Sequence, residues 1–219
     1  MNRSHRLLLA LLLMLPAALC AQESEHGVHQ ITFQFNRVDF QFSLMPVDSV
    51  WHTALDGSQF VTLNGYYVGT TEVTRRQYDA IMQHSWSWPD IGDNADSLPA
   101  TGLTRTQWQE FMDSLNSRYI MQLRFPTREE WEECYHGGPL SQGYKYSGSD
   151  RRQWVAQPEG TIHPVAQLIP NELELFDMEG NAIEYYNDAP FNVRPNNDEL
   201  PSYGMRLVFN SSINVSKKE

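Results

Sequence analysis

The segment that decides the fold reads Pro170-Asn-Glu-Leu-Glu-Leu-Phe-Asp-Met-Glu-Gly-Asn-Ala-Ile-Glu184. It contains the pair Gly180-Asn181 near its end, and Gly, Pro and Asn recur from Gly138 to the end of the chain. Strand-like pieces in this half are brief: Ile162–Ala166, Leu173–Phe176 and Met205–Phe209. This composition predicts a C-terminal half made of long ordered loops, which need packed aromatic side chains or a metal ion to fix them.

Three short amphipathic helices are predicted upstream by one repeated pattern, a Thr followed three residues later by Gln or Glu. The pairs are Thr74 with Gln77, Thr104 with Gln107, and Thr127 with Glu130. At this spacing the Thr hydroxyl accepts from a backbone N–H of the first turn, and the longer side chain accepts from the cap residue's own N–H. The third helix is expected to end at Gly137-Gly138. Three helices on a shared core, joined by ordered loops, indicate an α+β domain.

Strands are predicted before the first helix. Residues Ile31 to Phe42 alternate apolar and polar, with a shift of phase at Asn36-Arg37, which is typical of a strand pair or a bulged strand. Residues Phe60 to Val68 form another strand-like stretch, interrupted by the turn signal Asn64-Gly65. The predicted organisation is a flexible lead-in over residues 22–30, one domain over residues 31–210, and a tail over residues 211–219.

The first 21 residues have the features of an export signal. Two arginines precede an apolar run from Leu7 to Leu19, which has the length of a signal sequence and is too short for a comfortable membrane span. Cleavage after Ala21 is expected, and lipid attachment at Cys20 is the less favoured alternative because a Leu precedes that cysteine. The mature protein is therefore predicted to be exported to the periplasm or the cell surface, with no transmembrane span left.

Removal of that signal changes the charge and the cysteine count. It takes away Arg3 and Arg6 and no acidic residue, so 14 basic and 27 acidic residues remain, a net charge of −13. A surface this acidic repels nucleic acid and anionic lipid, and neither is an expected partner. Cys134 is left as the only cysteine, so no intramolecular disulfide is possible. We expect Cys134 to be a buried thiol in the third helix.

Several blocks together resemble the sulfatase-modifying (formylglycine-generating) family. The segment from Pro170 to Glu184 is similar to the family's PNELGLYDMSGNVWEW block. The other matching blocks are Tyr67–Tyr78, Leu123–Glu132, Tyr144–Ser149, His163–Val165 and Gly204–Val208. They follow the family's order and cover most of residues 60–209, which makes the joint match specific. The resemblance implies a C-type-lectin-like α+β fold with little regular secondary structure.

The same resemblance implies a chemistry that this chain lacks the residues to perform. Active members oxidise a substrate cysteine to formylglycine with copper held by two cysteines near the C-terminus, because soft sulfur ligands select Cu(I). No cysteine follows Cys134 here, and the segment between Glu184 and Gly204 is too short for the family's catalytic stretch. Copper is therefore not expected. The resemblance implies a non-catalytic binding or assembly module of the bacterial envelope, with an envelope protein or a glycan as its partner.

Calcium is the one family cofactor that the resemblance retains. Active members hold it around a Gly-Asn-x-x-Glu motif, which stands here from Gly180 to Glu184, so Asn181 and Glu184 are the candidate ligands. Carbonyl and carboxylate oxygens on irregular backbone suit this hard cation. The alternative is that Asn181 caps a turn and Glu184 is an ordinary charged residue.

Two other functions stay open at this point. A metal-dependent oxidoreductase with relocated chemistry would need distant histidines to converge, because no two histidines of the mature chain are spaced at i, i+4. A glycan-binding module would use Trp86 and Trp88 beside the acidic loop Asp90–Asp96, although core packing is the alternative for both rings. The acidic loop itself is interpreted as a solvated surface, because its spacing differs from that of an EF-hand.

Overall fold

The computed structural model describes residues 20–23, 28–45, 49–54, 57–62, 65–83, 88, 95–118, 122–142, 162–187 and 203–210. The strands are β1 (Cys20–Glu23), β2 (His29–Phe35), β3 (Val38–Met45), β4 (Ser49–Ala54), β5 (Gly57–Thr62), β6 (Tyr66–Gly69), β7 (Ile183–Glu184), β8 (Tyr203–Gly204) and β9 (Val208–Asn210). The helices are α1 (Arg75–Met82), α2 (Arg105–Arg118) and α3 (Arg128–Tyr135), with 3-10 turns at Ala95–Ser97 and Gly138–Leu140. The α+β class predicted from the sequence is confirmed.

One antiparallel sheet carries most of the strands, in the order β1-β2-β3-β6-β9. Strands β4 and β5 pair with each other, and β7 and β8 form a two-residue parallel pair. The sheet begins before residue 31, because β1 pairs with residues His29 to Thr32 of β2. Val28 and Gln30 are buried. Residues 22–30 were predicted as a flexible lead-in. Their described residues include parts of β1 and β2, which pair with each other.

Strands β2 and β3 form a hairpin whose two-residue turn explains the shift of phase in the sequence. Asn36 and Arg37 both have positive φ, 46° and 66°, and Phe35 pairs directly with Val38. A two-residue turn of this hand matches the twist of antiparallel strands. Phe33 lies opposite Phe40 on the buried face, where rings from both strands pack together. The predicted strand pair is therefore confirmed.

The three predicted helix starts are also confirmed, because each cap makes both of its hydrogen bonds. The Thr74 hydroxyl accepts from the backbone N–H of Gln77 at 3.2 Å. The side-chain Oε1 atom of Gln77 accepts in return from the backbone N–H of Thr74 at 2.8 Å. The Thr104–Gln107 and Thr127–Glu130 pairs repeat this exchange. Helix α3 is followed by Gly137 and Gly138, both with positive φ, as the sequence predicts.

Two clusters of apolar side chains make up the core. The larger one joins the β2–β3 hairpin to α1 and α2, where the Tyr78 ring stacks on Phe111 at 5.4 Å and meets Trp108 edge-on at 5.5 Å. The smaller one joins Cys134 of α3 to Leu173 and Leu175. Burial of each large side chain contributes roughly 1.5–3 kcal/mol. The second cluster matters for the site, because it packs the segment Pro170–Glu184 against α3.

Two strand predictions in the C-terminal half are wrong. Ile162–Ala166 and Leu173–Phe176 are loops, and only the end of Met205–Phe209 lies in a strand, β9. Ala166, Glu174 and Asp177 have positive φ between 55° and 59°, a conformation that breaks an extended ladder. Among the described residues, no helix has the length and apolar character that a membrane span requires.

Candidate functional site

The stretch Pro170–Glu184, called the motif loop below, is shaped first by one buried asparagine. The Asn171 Oδ1 atom accepts from the backbone N–H groups of Leu173 at 3.0 Å and Leu175 at 3.1 Å. Its Nδ2 atom donates to the Cys134 carbonyl oxygen of α3 at 2.7 Å. A single side chain thus satisfies two backbone N–H groups of the loop and also ties the loop to α3.

The motif loop contains several residues in left-handed backbone conformations. Those after Asn171 are Glu174, Asp177, Gly180 and Asn181, with φ of 59°, 55°, 89° and 54°. Each non-glycine residue of this kind costs about 1 kcal/mol, so the surroundings must hold it in place. The Asp177 Oδ2 atom accepts from the Ala166 N–H at 2.7 Å, and the Asn181 Oδ1 atom accepts from the His163 N–H at 3.0 Å. The neighbouring stretch 162–166 is thereby tied to the loop.

A buried guanidinium lies beneath the motif loop. Arg206 is 0 % exposed and donates from Nη2 to the Glu184 Oε1 atom at 2.8 Å, with Nε 3.1 Å from Oε1 and 3.2 Å from Oε2. It also donates to the carbonyl oxygens of Gly69 at 2.9 Å and Phe176 at 2.8 Å. Glu184 Oε2 accepts in addition from the Trp131 indole N–H at 2.7 Å. Arg206 therefore joins β6, the motif loop and the approach to β9.

Two more carboxyl groups face this ion pair. The Glu72 Oε1 atom accepts a long hydrogen bond, 3.3 Å, from the Ala182 N–H. Among the described residues, Glu72 Oε2 and Asp177 Oδ1 are buried without a hydrogen-bond partner. Burial raises the pKa of Glu72 well above its usual range, Asp177 and Glu184 raise it further, and Arg206 opposes them. Burial also raises the pKa of Asp177. The site thus combines one guanidinium with three carboxyl groups, and burial raises the pKa of two of them.

The residues predicted to bind calcium, Asn181 and Glu184, both lie in this network. Both Glu184 oxygens accept hydrogen bonds, and Asn181 Oδ1 accepts from the His163 N–H. Asn181 Nδ2, which has no partner in the described part of the chain, is a donor and not a metal ligand. Calcium requires several oxygens with available lone pairs, so this donor set does not fit the ion while these contacts are in place. Calcium on this pair stays a prediction.

Cys134 confirms the prediction of a buried thiol. It lies in α3, and its Sγ atom is 3.4 Å from the Tyr66 hydroxyl, which donates to the Glu130 carbonyl oxygen at 3.1 Å. Burial raises the pKa of the Cys134 thiol to about 12, although the Tyr66 hydrogen bond lowers it. The thiolate is the nucleophile and the metal ligand in cysteine chemistry. At neutral pH this sulfur is therefore a protonated core atom.

Trp88 packs against α1. Its indole N–H donates to the Asp79 carboxylate at 2.9 Å, its ring meets the Tyr78 ring at 5.7 Å, and the Arg75 guanidinium lies 5.2 Å from its centre. Core packing, the alternative given for this tryptophan, is therefore the arrangement observed. Trp86, most of the acidic loop Asp90–Asp96 and the matching block Tyr144–Ser149 lie outside the described residues.

Two central residues of the site, Arg206 and Glu72, were missed as site residues by the sequence reasoning. Both fall inside matching blocks, but no role was inferred for either. A usable signal was present for Arg206, which stands between Met205 and Leu207 and so interrupts an apolar run; Glu72, between Thr71 and Val73, carries no such signal. A charged residue in such a run is buried only with a partner, which is a reason to search for one.

The surface around the motif loop carries exposed apolar groups. Ile183 is 59 % exposed and is held in β7 by its pairing with Tyr203. Leu140 is the other large apolar side chain that is exposed in the described part of the chain. The half-buried Trp131 stacks on Tyr135 of the same helix at 5.5 Å. Fixed backbone beneath exposed apolar groups is an arrangement suited to binding another molecule.

Comparisons with known proteins agree with this architecture. The model of a family described as "Sulfatase-modifying factor enzyme 1-like domain" matches residues 51–208. The solved structure of Treponema denticola variable protein 1 superposes with a TM-score of 0.65 at 16% identity, covering 83% of this chain and 99% of that one. PvdO from Pseudomonas aeruginosa superposes with a TM-score of 0.53 at 14% identity, covering 90% and 99%. At these identities the two structures show the fold alone.

One curated relative is similar in sequence. Chaperone protein LppX from Paenibacillus barcinonensis is 24% identical, over 57% of this chain and 62% of its own length. The chain therefore spans less than two thirds of that relative.

Proposed function

We propose, because this chain belongs to the sulfatase-modifying factor enzyme 1-like family, that it is a non-catalytic member which acts as a protein-binding module. The state of Cys134 carries the non-catalytic part of the proposal. Its thiol is buried, has a pKa of about 12, and is followed by no other cysteine in the sequence. A copper site built from two C-terminal thiolates, which the family resemblance implies for active members, has no residues here to form it.

The binding part of the proposal is supported by the rigidity of the motif loop. Asn171 and Arg206 form hydrogen bonds to its backbone, and the Arg206–Glu184 ion pair holds its end. A surface that is ordered before a partner arrives loses less conformational entropy on binding. The relative named as a chaperone also has a protein-binding role by its name, which favours a protein over a small substrate as the partner.

Ile183 is the residue through which we expect the loop to contact that partner. Its side chain is exposed, while Glu184, the next residue, is buried and paired with Arg206. The loop therefore presents an apolar group on backbone that the ion pair holds in place. The proposed location is the bacterial envelope, on the strength of the export signal expected over residues 1–21, and the proposed partner is an envelope protein.

Pull-down with chemical cross-linking from envelopes of the native organism tests the binding role. The tagged mature protein is expected to retain one dominant protein partner, and Ile183→Glu is expected to lose it. Ser117→Glu is the control, because it adds the same charge at an exposed position of α2, outside the surface around the motif loop. Absence of any partner for the unmodified protein would overturn the proposal, and equal loss in both variants would remove Ile183 from the interface.

A separate assay tests the non-catalytic part. The mature protein is incubated with a cysteine-containing sulfatase peptide and copper, and the peptide is examined by mass spectrometry for conversion of cysteine to the aldehyde. No conversion above a copper-only control is the expected result. Turnover by the protein would show that chemistry has moved to other residues, which is the oxidoreductase alternative.

A further inference from the structure

The positively charged group that holds the motif loop in place is a side chain of the protein, the Arg206 guanidinium. Arg206 makes three hydrogen bonds to the Glu184 carboxylate and two to backbone carbonyl oxygens, and it is fully buried. Carboxylate and carbonyl oxygens are also the groups that calcium takes from irregular backbone. The guanidinium thus donates hydrogen bonds to the same kinds of oxygen atom that would coordinate a bound calcium ion.

A divalent ion on Glu184 would have to compete with this arrangement. Both carboxylate oxygens carry hydrogen bonds, from Arg206 and from the indole of Trp131. An ion placed there would bring a positive charge close to a guanidinium that has no solvent to screen it, and repulsion between buried like charges is strong. The other predicted ligand, Asn181, directs its side-chain oxygen to the His163 N–H.

We propose that Arg206 takes the place of a bound metal ion for Glu184, so that the motif loop keeps its conformation without calcium. The proposal concerns the loop alone and holds whether or not the protein-binding role is correct. It reverses the expectation that the family resemblance gives for Asn181 and Glu184.

Two further acidic groups face the guanidinium. Glu72 and Asp177 each keep one oxygen without a partner among the described residues. Burial raises the pKa of both carboxyl groups. Arg206 is the cation that these two groups and Glu184 share.

The test is thermal unfolding of the whole mature protein after extensive dialysis against a chelator, with and without added calcium chloride. An ion that binds only the folded state raises Tm as its concentration increases. No shift of Tm, and unchanged amide exchange at Leu173, Leu175 and Ala182, are the expected results. A saturable rise of Tm that disappears in Glu184→Gln would overturn the proposal. A rise that persists in Glu184→Gln would place the ion elsewhere, and the proposal would stand.

Arg206→Lys tests the role of the guanidinium directly. Lysine keeps the positive charge but cannot reproduce the planar fork that reaches Glu184, Gly69 and Phe176 together. Loss of amide protection in the motif loop is expected for this variant, with protection retained in α2. Protection equal to that of the unmodified protein would show that any cation is sufficient and would overturn the assignment to arginine.

Discussion

Arg206 and Glu184 form a fully buried ion pair across 22 residues of sequence, with Nη2 2.8 Å from Oε1. The pair connects the entry to β9 with the end of the motif loop. The attraction within a buried ion pair offsets the free-energy cost of its desolvation only when the remaining donors and acceptors also have hydrogen-bond partners. Here Gly69, Phe176 and Trp131 supply those partners, so the pair is the fixed point around which the loop is built.

Arg206→Met is expected to lower the free energy of unfolding by about 3 to 5 kcal/mol, because it leaves the Glu184 carboxylate buried without its counter-charge. Urea denaturation measures the change. Arg128→Met is the matched control, because Arg128 and Glu132 form a partly exposed pair within one helix, worth about 0.3 to 0.5 kcal/mol. Equal losses in the two variants would contradict the special role of the buried pair.

Glu72 is expected to make stability depend on pH. Its folded pKa lies well above the ordinary value of 4.5, so its contribution is fully present below that value and is lost as pH rises through the folded pKa. The free energy of unfolding, measured by urea denaturation from pH 4 upward, should therefore fall with pH more steeply than in Glu72→Gln. Asp177 acts in the same direction, so part of the slope will remain. The exposed Glu110→Gln variant serves as the control, and identical slopes for all three proteins would refute the expectation.

Cys134 should resist alkylation in the native protein. Because its thiol has a pKa of about 12 and is buried, almost no thiolate is accessible at pH 8. Iodoacetamide followed by peptide mass spectrometry should find Cys134 unmodified in the native state and fully modified in denaturant. Rapid native alkylation would mean that α3 opens readily, and would weaken the case that this cysteine is only a core residue.

Thr127→Ala should cost about 1 kcal/mol of stability, since the Thr127 hydroxyl accepts from the Glu130 N–H at 3.2 Å at the start of α3. Thr127→Ser keeps that acceptor and should remain close to the unmodified protein. Thermal or urea unfolding distinguishes the two. If serine were as harmful as alanine, packing of the threonine methyl group, and not the cap, would explain the loss.

The local features of the fold were predictable because their partners are close in sequence. The Thr127–Glu130 cap spans three residues, and the turn at Asn36-Arg37 joins strands whose alternating phenylalanines already define a buried face. The strand predictions at Ile162–Ala166 and Leu173–Phe176 failed for a related reason. Leu173 and Leu175 are buried, but left-handed residues at Ala166 and Glu174 stop the chain from extending, and composition does not reveal φ.

The sequence by itself determined the α+β class, the three capped helices, the hairpin, the family resemblance and the lack of any cysteine after Cys134. Only the tertiary structure decided what the acidic and basic residues of the motif do. Arg206 reaches the Gly69 carbonyl oxygen across 137 residues, and Glu72 meets the Ala182 N–H across 110. No periodic pattern in the sequence reveals contacts between residues so far apart along the chain. Whether a charge can be buried depends on the partners that folding brings to it.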